Sequence, residues 1–212
     1  MKALIIGATG ATGKDLVNVL LQDPDYTEVV IFVRRLSGMA HSKLSEILTD
    51  FDKLDEVSGQ INGDVSFLCL GTTLKAAGSK DKQWHIDYEI PLKFAGIARK
   101  MGIPRMVLLS AYGASTKSKV FYSRMKGKLE EDIASLAFDQ YIIFKPGILL
   151  RKGTDRAGER VMVGVLSFLA SLGLIRKFRP LPTSILAEKL SGAPKVLTPG
   201  KHVIELDKIF GF

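Results

Sequence analysis

With 212 residues, 46% apolar and 25% charged side chains, the chain has the make-up of one soluble globular domain and excludes a disordered or fibrous protein. Its net charge of +8 comes from scattered lysines and arginines, with no basic run interleaved with stacking aromatics, so no nucleic-acid partner is expected. Cys69 is the single cysteine and cannot form an internal disulfide, and three dispersed histidines offer no metal-ligand cluster.

The first predicted element is an apolar strand over residues 3–6, running into Gly7-Ala8-Thr9-Gly10-Ala11-Thr12-Gly13. Glycines at this spacing suit a dinucleotide. Gly7 would let the chain turn out of the strand, and Gly10 would let the backbone approach a pyrophosphate. Gly13 would let the next helix pack close to the sheet, with the first-turn N–H groups of Ala11 and Thr12 aimed at the phosphates. The spacing is GxxGxxG rather than GxGxxG, and an ordinary strand-to-helix turn uses small residues too. A helix over 10–21 and a strand over 29–34 complete a βαβ unit of the expected length. That second strand ends in Arg34-Arg35 with no acidic residue. An acid there would favour a free ribose 2′-hydroxyl, whereas arginine accommodates a 2′-phosphate, so NADP(H) is expected over NAD(H).

A third strand is predicted over 45–49 and a helix around 51–57, with Asp50 and Phe51 placed for an adenine edge contact and a flanking wall; Asp50 would equally serve as a helix N-cap. The fourth strand, over 65–70, holds Cys69 as a buried, inert thiol and delivers Leu70, Gly71, Thr72 and Thr73 to its end. There a glycine would allow close approach of a ribose and the hydroxyls could contact it, as they could a simple turn. A helix over 80–101 leads to a fifth strand over 105–110, with Ser110 last, then a helix over 117–136 and a strand over 141–144. The alternation predicts an α/β fold, a doubly wound parallel sheet whose ligands bind beyond the C-terminal strand ends.

Tyr122 and Lys126 share one face of the 117–136 helix at i, i+4. A phenol with pKa ~10 is a poor proton carrier near neutrality, and a neighbouring ammonium moves it toward a useful range. In this reading Tyr122 exchanges the proton, Lys126 assists it and reaches the nicotinamide ribose, and Ser110 holds the substrate carbonyl oxygen.

Toward the C-terminus, Arg151 to Arg160 reads as a loop over the nicotinamide. The apolar segment 161–175 is fifteen residues long, short of the ~20 that span a bilayer, so no integral membrane span is expected. A helix packed on the sheet is the plain reading, and a membrane-surface or homodimer contact stays open for its exposed face. A small helix over 183–189 and a late strand over 202–206 follow, with a final turn ending at Phe212. The whole chain is read as one domain, 147–212 adding a small substrate or lid region, and the lack of a signal-peptide layout predicts a cytoplasmic protein.

Taken together, the glycine loop, Val33-Arg34-Arg35, Cys69-Leu70-Gly71-Thr72-Thr73, Asp87-Tyr88, Leu109-Ser110-Ala111-Tyr112-Gly113-Ala114, Tyr122 to Lys126-Gly127 and Lys145-Pro146-Gly147-Ile148-Leu149-Leu150 resemble the atypical branch of the short-chain dehydrogenase/reductase superfamily. They are similar to the Tat-interacting protein family. The resemblance implies a Rossmann fold, NADPH binding and a Ser110–Tyr122–Lys126 triad. It places Pro146, Gly147 and Ile148 near the nicotinamide, with Lys145 where relatives usually carry arginine. Other branches complete a proton relay with an asparagine on the fourth helix, where this chain offers Asp87. His85 beside it reads as a helix residue making an ordinary hydrogen bond.

Two functions fit. One is an NADP-dependent oxidoreductase acting on a small carbonyl or alcohol. The other is an NADPH-binding redox sensor or regulator without turnover. Nucleotide-sugar epimerisation uses the same triad but would need a larger C-terminal lobe.

Overall fold

The computed structural model describes residues 1–150 and 178–212. The predicted loop at 151–160 and apolar helix at 161–175 lie outside the described residues. The strands are β1 (Lys2–Ile6), β2 (Glu28–Val33), β3 (Leu44–Leu48), β4 (Val65–Leu68), β5 (Arg105–Leu109), β6 (Gln140–Lys145), β7 (Leu149–Leu150), β8 (Leu181–Pro182) and β9 (Gly200–Glu205). Among the described residues, seven of them form one parallel sheet in the order β3-β2-β1-β4-β5-β6-β9. The short β7 and β8 pair separately.

Central strands of such a sheet are buried on both faces, which is why they read as continuous apolar runs. Successive side chains alternate between two cores. Ile5, Ile31 and Phe67 lie in register and face the layer of α1 (Ala11–Gln22) and α6 (Thr183–Val196). Leu4, Ile6 and Phe32 face the opposite layer, built from α4 (Ile90–Lys100) and α5 (Phe121–Ala134) with a 3-10 helix over Phe51–Gln60. This is the predicted doubly wound arrangement. The remaining short helices are α2 (Leu74–Ala77), α3 (Lys80–Trp84) and α7 (Lys208–Gly211). Among the described residues, no helix is long and apolar enough to cross a membrane.

Several boundaries differ from expectation for physical reasons. The single helix predicted over 80–101 is interrupted by a π turn over His85–Glu89, where the Ile90 N–H bonds back to the His85 carbonyl. Pro91 has no N–H to offer the Asp87 carbonyl one turn earlier. The helix predicted from 117 begins at Phe121, because the preceding chain is held in turns by Ser118 Oγ accepting from Val120 N and by Arg124 donating to the Ser118 carbonyl. The small helix over 183–189 runs on to Val196 despite Gly192 and Pro194, since Leu190 and Ala193 are buried in the core it shares with α1. The late strand is the seventh member of the main sheet, β9 pairing with β6.

Polar contacts fasten α6 to the first βα unit. Thr183 Oγ1 donates to Asp15 Oδ2 at 2.6 Å, Tyr26 Oη donates to the Ser191 carbonyl at 2.7 Å, and Lys195 pairs with Asp23 and Asp25 at 2.7 and 2.8 Å.

Candidate functional site

The strand order reverses direction between β1 and β4, so the loops leaving these neighbours diverge and open a crevice at their C-terminal ends. Gly7 turns out of β1 at φ +81°, and a Cβ there would lie 2.4 Å from the Cys69 carbonyl carbon. A Cβ on Gly13 would lie 2.1 Å from the Gly7 carbonyl oxygen. Both positions require glycine, for the turn and for the close approach of α1 to the sheet. Helix α1 starts at Gly10 with no capping side chain and no acid in its first turn, whereas Asp50, Thr73 and Ser79 cap their own helices. Free N–H groups at a helix N-terminus facing a crevice suit the phosphates of a dinucleotide.

Among the described residues, three cavities follow the strand ends. The first, about 410 Å³, is bordered by Gly7, Thr9, Gly10 and Arg34, by Asp50 and Phe51, and by Leu70, Gly71 and Thr72. Asp50 lines this cavity and is the expected helix N-cap, accepting from Asp52 N at 3.1 Å. Phe51 is largely buried and reaches the cavity only as a wall. The second, about 550 Å³, is ringed by Thr9, Lys14, Arg34 and Arg35. The third, about 320 Å³, gathers Ser110, Tyr122 and Lys126 with Gly10, Ala11 and Thr12 on one side and Leu70 to Thr73 on the other. Pro146, Gly147 and Ile148 line none of these three, although the next-but-one residue after Gly147, Leu149, lines the third. The Pro146 and Ile148 carbonyls accept from Tyr112 N and Leu181 N, so this turn ties β6 to its surroundings.

In the third cavity Tyr122 stands one turn ahead of Lys126 on α5; the tyrosine is 37% exposed and the lysine 2%. Burial pushes the Lys126 ammonium below its ordinary pKa, while the charges of Asp87 and Glu130 oppose that shift. Asp87 is fully buried: its Oδ1 accepts from Thr72 N at 2.7 Å, and Oδ2 has no hydrogen-bond partner. Burial pushes its carboxyl up to about 6 against the pull of Lys126. Cys69 was expected to be buried but is only half-buried and lines the first and third cavities, although desolvation pushes its thiol up to about 12, which keeps it protonated.

The Ser110 hydroxyl is not directed freely into the cavity. It donates to Glu130 Oε1, while Glu130 Oε2 receives Lys145 Nζ at 3.2 Å, and Lys145 also donates to the Ala114 carbonyl at 3.0 Å. Sequence reasoning missed Glu130, which looks like any helix-surface glutamate until the fold brings β5 and β6 beside it. It also missed His85 and Asp52 as cavity residues. The His85 ring lies between Glu89 at 2.7 Å and Asp52 at 2.6 Å, and these hydrogen bonds, Glu89 first, raise its pKa. His85 is the hydrogen-bonded helix residue expected, and it lines the first cavity.

A family described as NAD(P)H-binding matches residues 7–164. The chain belongs to this NAD(P)H-binding family. It is 37% identical over 160 residues to Protein HTATIP2 of Rattus norvegicus, covering 73% of this chain and 66% of that protein. It is 34% identical over 197 residues to Protein FMP52-1, mitochondrial, of Scheffersomyces stipitis, covering 91% and 84%. With Protein FMP52, mitochondrial, of Saccharomyces cerevisiae it shares 35% over 158 residues, covering 73% and 68%. These fungal names overturn the expectation of a cytoplasmic protein, which rested only on the look of the N-terminal strand.

Among solved structures, MoeE5 in complex with UDP-glucuronic acid and NAD aligns at TM-score 0.74 and 16% identity, over 97% of this chain and 76% of that one. The oxidoreductase ylbE from Lactococcus lactis aligns at TM-score 0.59 and 22% identity, over 73% of each chain. At these identities the likeness is one of fold, and NAD(P)H binding rests on the family match over residues 7–164.

Proposed function

We propose that this family member is an NADP-dependent oxidoreductase that reduces a small carbonyl compound or oxidises the matching alcohol, with Ser110, Tyr122 and Lys126 as its reacting set. One observation carries the reading: these three side chains border the same cavity as Gly10, Ala11 and Thr12 of the dinucleotide loop. A pure cofactor sensor has no use for a phenol and an ammonium beside the place where the reactive ring would lie.

The nicotinamide, when bound, supplies or accepts a hydride. Tyr122 gives its phenolic proton to the carbonyl oxygen in reduction and takes the alcohol proton in oxidation. The buried Lys126 ammonium favours the phenolate by its charge. Ser110 contacts the substrate beside its reacting oxygen. Preference for NADP(H) is supported by the second cavity, where Lys14, Arg34 and Arg35 gather and, among the described residues, no acidic side chain lines the wall. Residues Gly7, Thr9, Gly10 and Thr12 take the pyrophosphate, and Asp50 and Phe51 the adenine. A mitochondrial location, borne in the names of the fungal relatives, is part of the proposal.

Calorimetric titration with NADPH and NADH, followed by an aldehyde and ketone panel read at the nicotinamide absorbance, tests this. Preferential NADPH binding with turnover is expected. Tight NADPH binding with no turnover would establish the regulatory reading instead.

A further inference from the structure

Behind Ser110 lies a buried polar chain that the proposed chemistry does not use. Ser110 is 5% exposed and Glu130 9%, and their contact is closed on the far side by the Lys145 ammonium. A hydroxyl has one proton and two lone pairs, and an ionised carboxylate only accepts. Glu130 Oε2 accepts from Lys145 Nζ, whose other hydrogen bond, to the Ala114 carbonyl, fixes the ammonium in place. Ser110 thus has no second proton to direct at a carbonyl oxygen. What it turns to the cavity is a lone pair. The main chain that carries it is fixed as well, Ser110 N donating to the Phe144 carbonyl at 2.8 Å.

Resting on the oxidoreductase reading above, we propose that Glu130 is a positioning residue that takes the Ser110 proton, so that Ser110 recognises a hydrogen-bond donor on the substrate, and that the substrate class is a carbonyl compound with a hydroxyl on the neighbouring carbon, or the corresponding diol. Tyr122 serves the reacting oxygen, and Ser110 accepts from the adjacent hydroxyl. A plain ketone would place only acceptor atoms against the Ser110 lone pair.

Glu130→Gln tests the direction of the bond at constant shape. The amide oxygen pairs with Lys145, which leaves the amide NH₂ facing Ser110 and frees the serine proton for the cavity. Matched pairs, hydroxyacetone against acetone and 2-hydroxyacetophenone against acetophenone, are compared by kcat/KM with NADPH. The natural chain is expected to favour the hydroxy ketone by at least about tenfold. Glu130→Gln should bring the ratio close to one, with the loss on the hydroxy ketone mainly in KM. Ser110→Ala should abolish the preference too, and adding Glu130→Gln to it should change the ratio no further. A general structural role for Glu130 would lower both substrates together and add to the Ser110→Ala effect, and that result would overturn the proposal. So would a natural preference for the plain ketone.

A second readout needs neither turnover nor Glu130→Gln to fold. In protein carrying carbon-13 glutamate, the infrared carboxylate band of Glu130 should shift in Ser110→Ala as its donor is lost. An unshifted band overturns the bond direction. Tight NADPH binding with no turnover of any pair sinks the oxidoreductase reading and the substrate class with it, while the infrared band still decides what Ser110 donates to.

Discussion

Gly13 stands against the carbonyl of Gly7 with no room for a side chain, a Cβ there lying 2.1 Å from the oxygen. Gly10, between them, has its nearest obstacle at 3.3 Å and an ordinary extended backbone. The two glycines should therefore fail differently. Gly13→Ala is expected to destabilise the fold by about 1–3 kcal/mol, as overpacking does. Gly10→Val should fold with a smaller loss, about 1 kcal/mol for a poorer helix N-cap, yet weaken NADPH and NADH alike, since its branches would occupy the approach to the pyrophosphate. Thermal melts and calorimetry on both variants check this, and normal cofactor affinity in Gly10→Val would remove the loop from the cofactor site.

Arg34 borders both the first cavity, with Asp50 and Phe51, and the basic one. Arg34→Ala should weaken NADPH by roughly 10–100-fold, the scale of a charged hydrogen bond, and NADH far less. Equal losses would make Arg34 a general part of the crevice with no say in cofactor choice.

Tyr122→Phe removes the proton carrier and leaves the ring. Turnover of the best panel substrate should fall at least about a hundredfold, with NADPH affinity within about threefold of the natural chain. Unchanged turnover would end the catalytic assignment.

Asp87 makes a pH prediction whose sign follows from its buried carboxyl. Its folded pKa, about 6, lies above the ordinary value of 3.8, because burial disfavours the charge more than Lys126 favours it. The folded state then holds a proton that the unfolded chain has lost, so this group lowers stability as pH rises from about 4 to 6, and the penalty persists above that range. Asp87→Asn keeps the acceptor for Thr72 N and removes the penalty. It should raise the Tm by a few degrees at about pH 8 and leave it unchanged at about pH 4. A gain at acid pH, or a loss at pH 8, would contradict the assignment.

Much of the fold was legible because strands buried on both faces announce themselves: Leu4-Ile5-Ile6 and Val29-Val30-Ile31-Phe32-Val33 have no polar alternation to confuse with a helix. The glycine loop, Arg34 and the Tyr122–Lys126 spacing were equally open, since each is a local pattern. The hydrogen bond from Ser110 to Glu130 spans twenty positions and two elements, and no periodicity reports it. The π turn at His85–Glu89 hides inside a helical pattern, and it sets Asp87 in the core while His85 stays half exposed at the cavity wall. The length of α6 was obscured by Gly192 and Pro194, which read as stops when burial against α1 is not yet known.

That packing of α6 on α1 has a consequence for how the chain comes to be folded. Asp15 and Thr183 are 168 positions apart, as are Asp23 and Ser191, and until the later partner exists the core around Leu16, Val17 and Leu20 lacks Leu186, Ala187 and Leu190. Contacts that distant form slowly, and on a ribosome they cannot form at all until residues 183–196 have emerged. The unit made first is the one completed last. A chain halted ahead of Thr183 would carry its glycine loop in full with α1 still lacking its α6 neighbour, leaving part of that helix's apolar surface to chaperones and proteases.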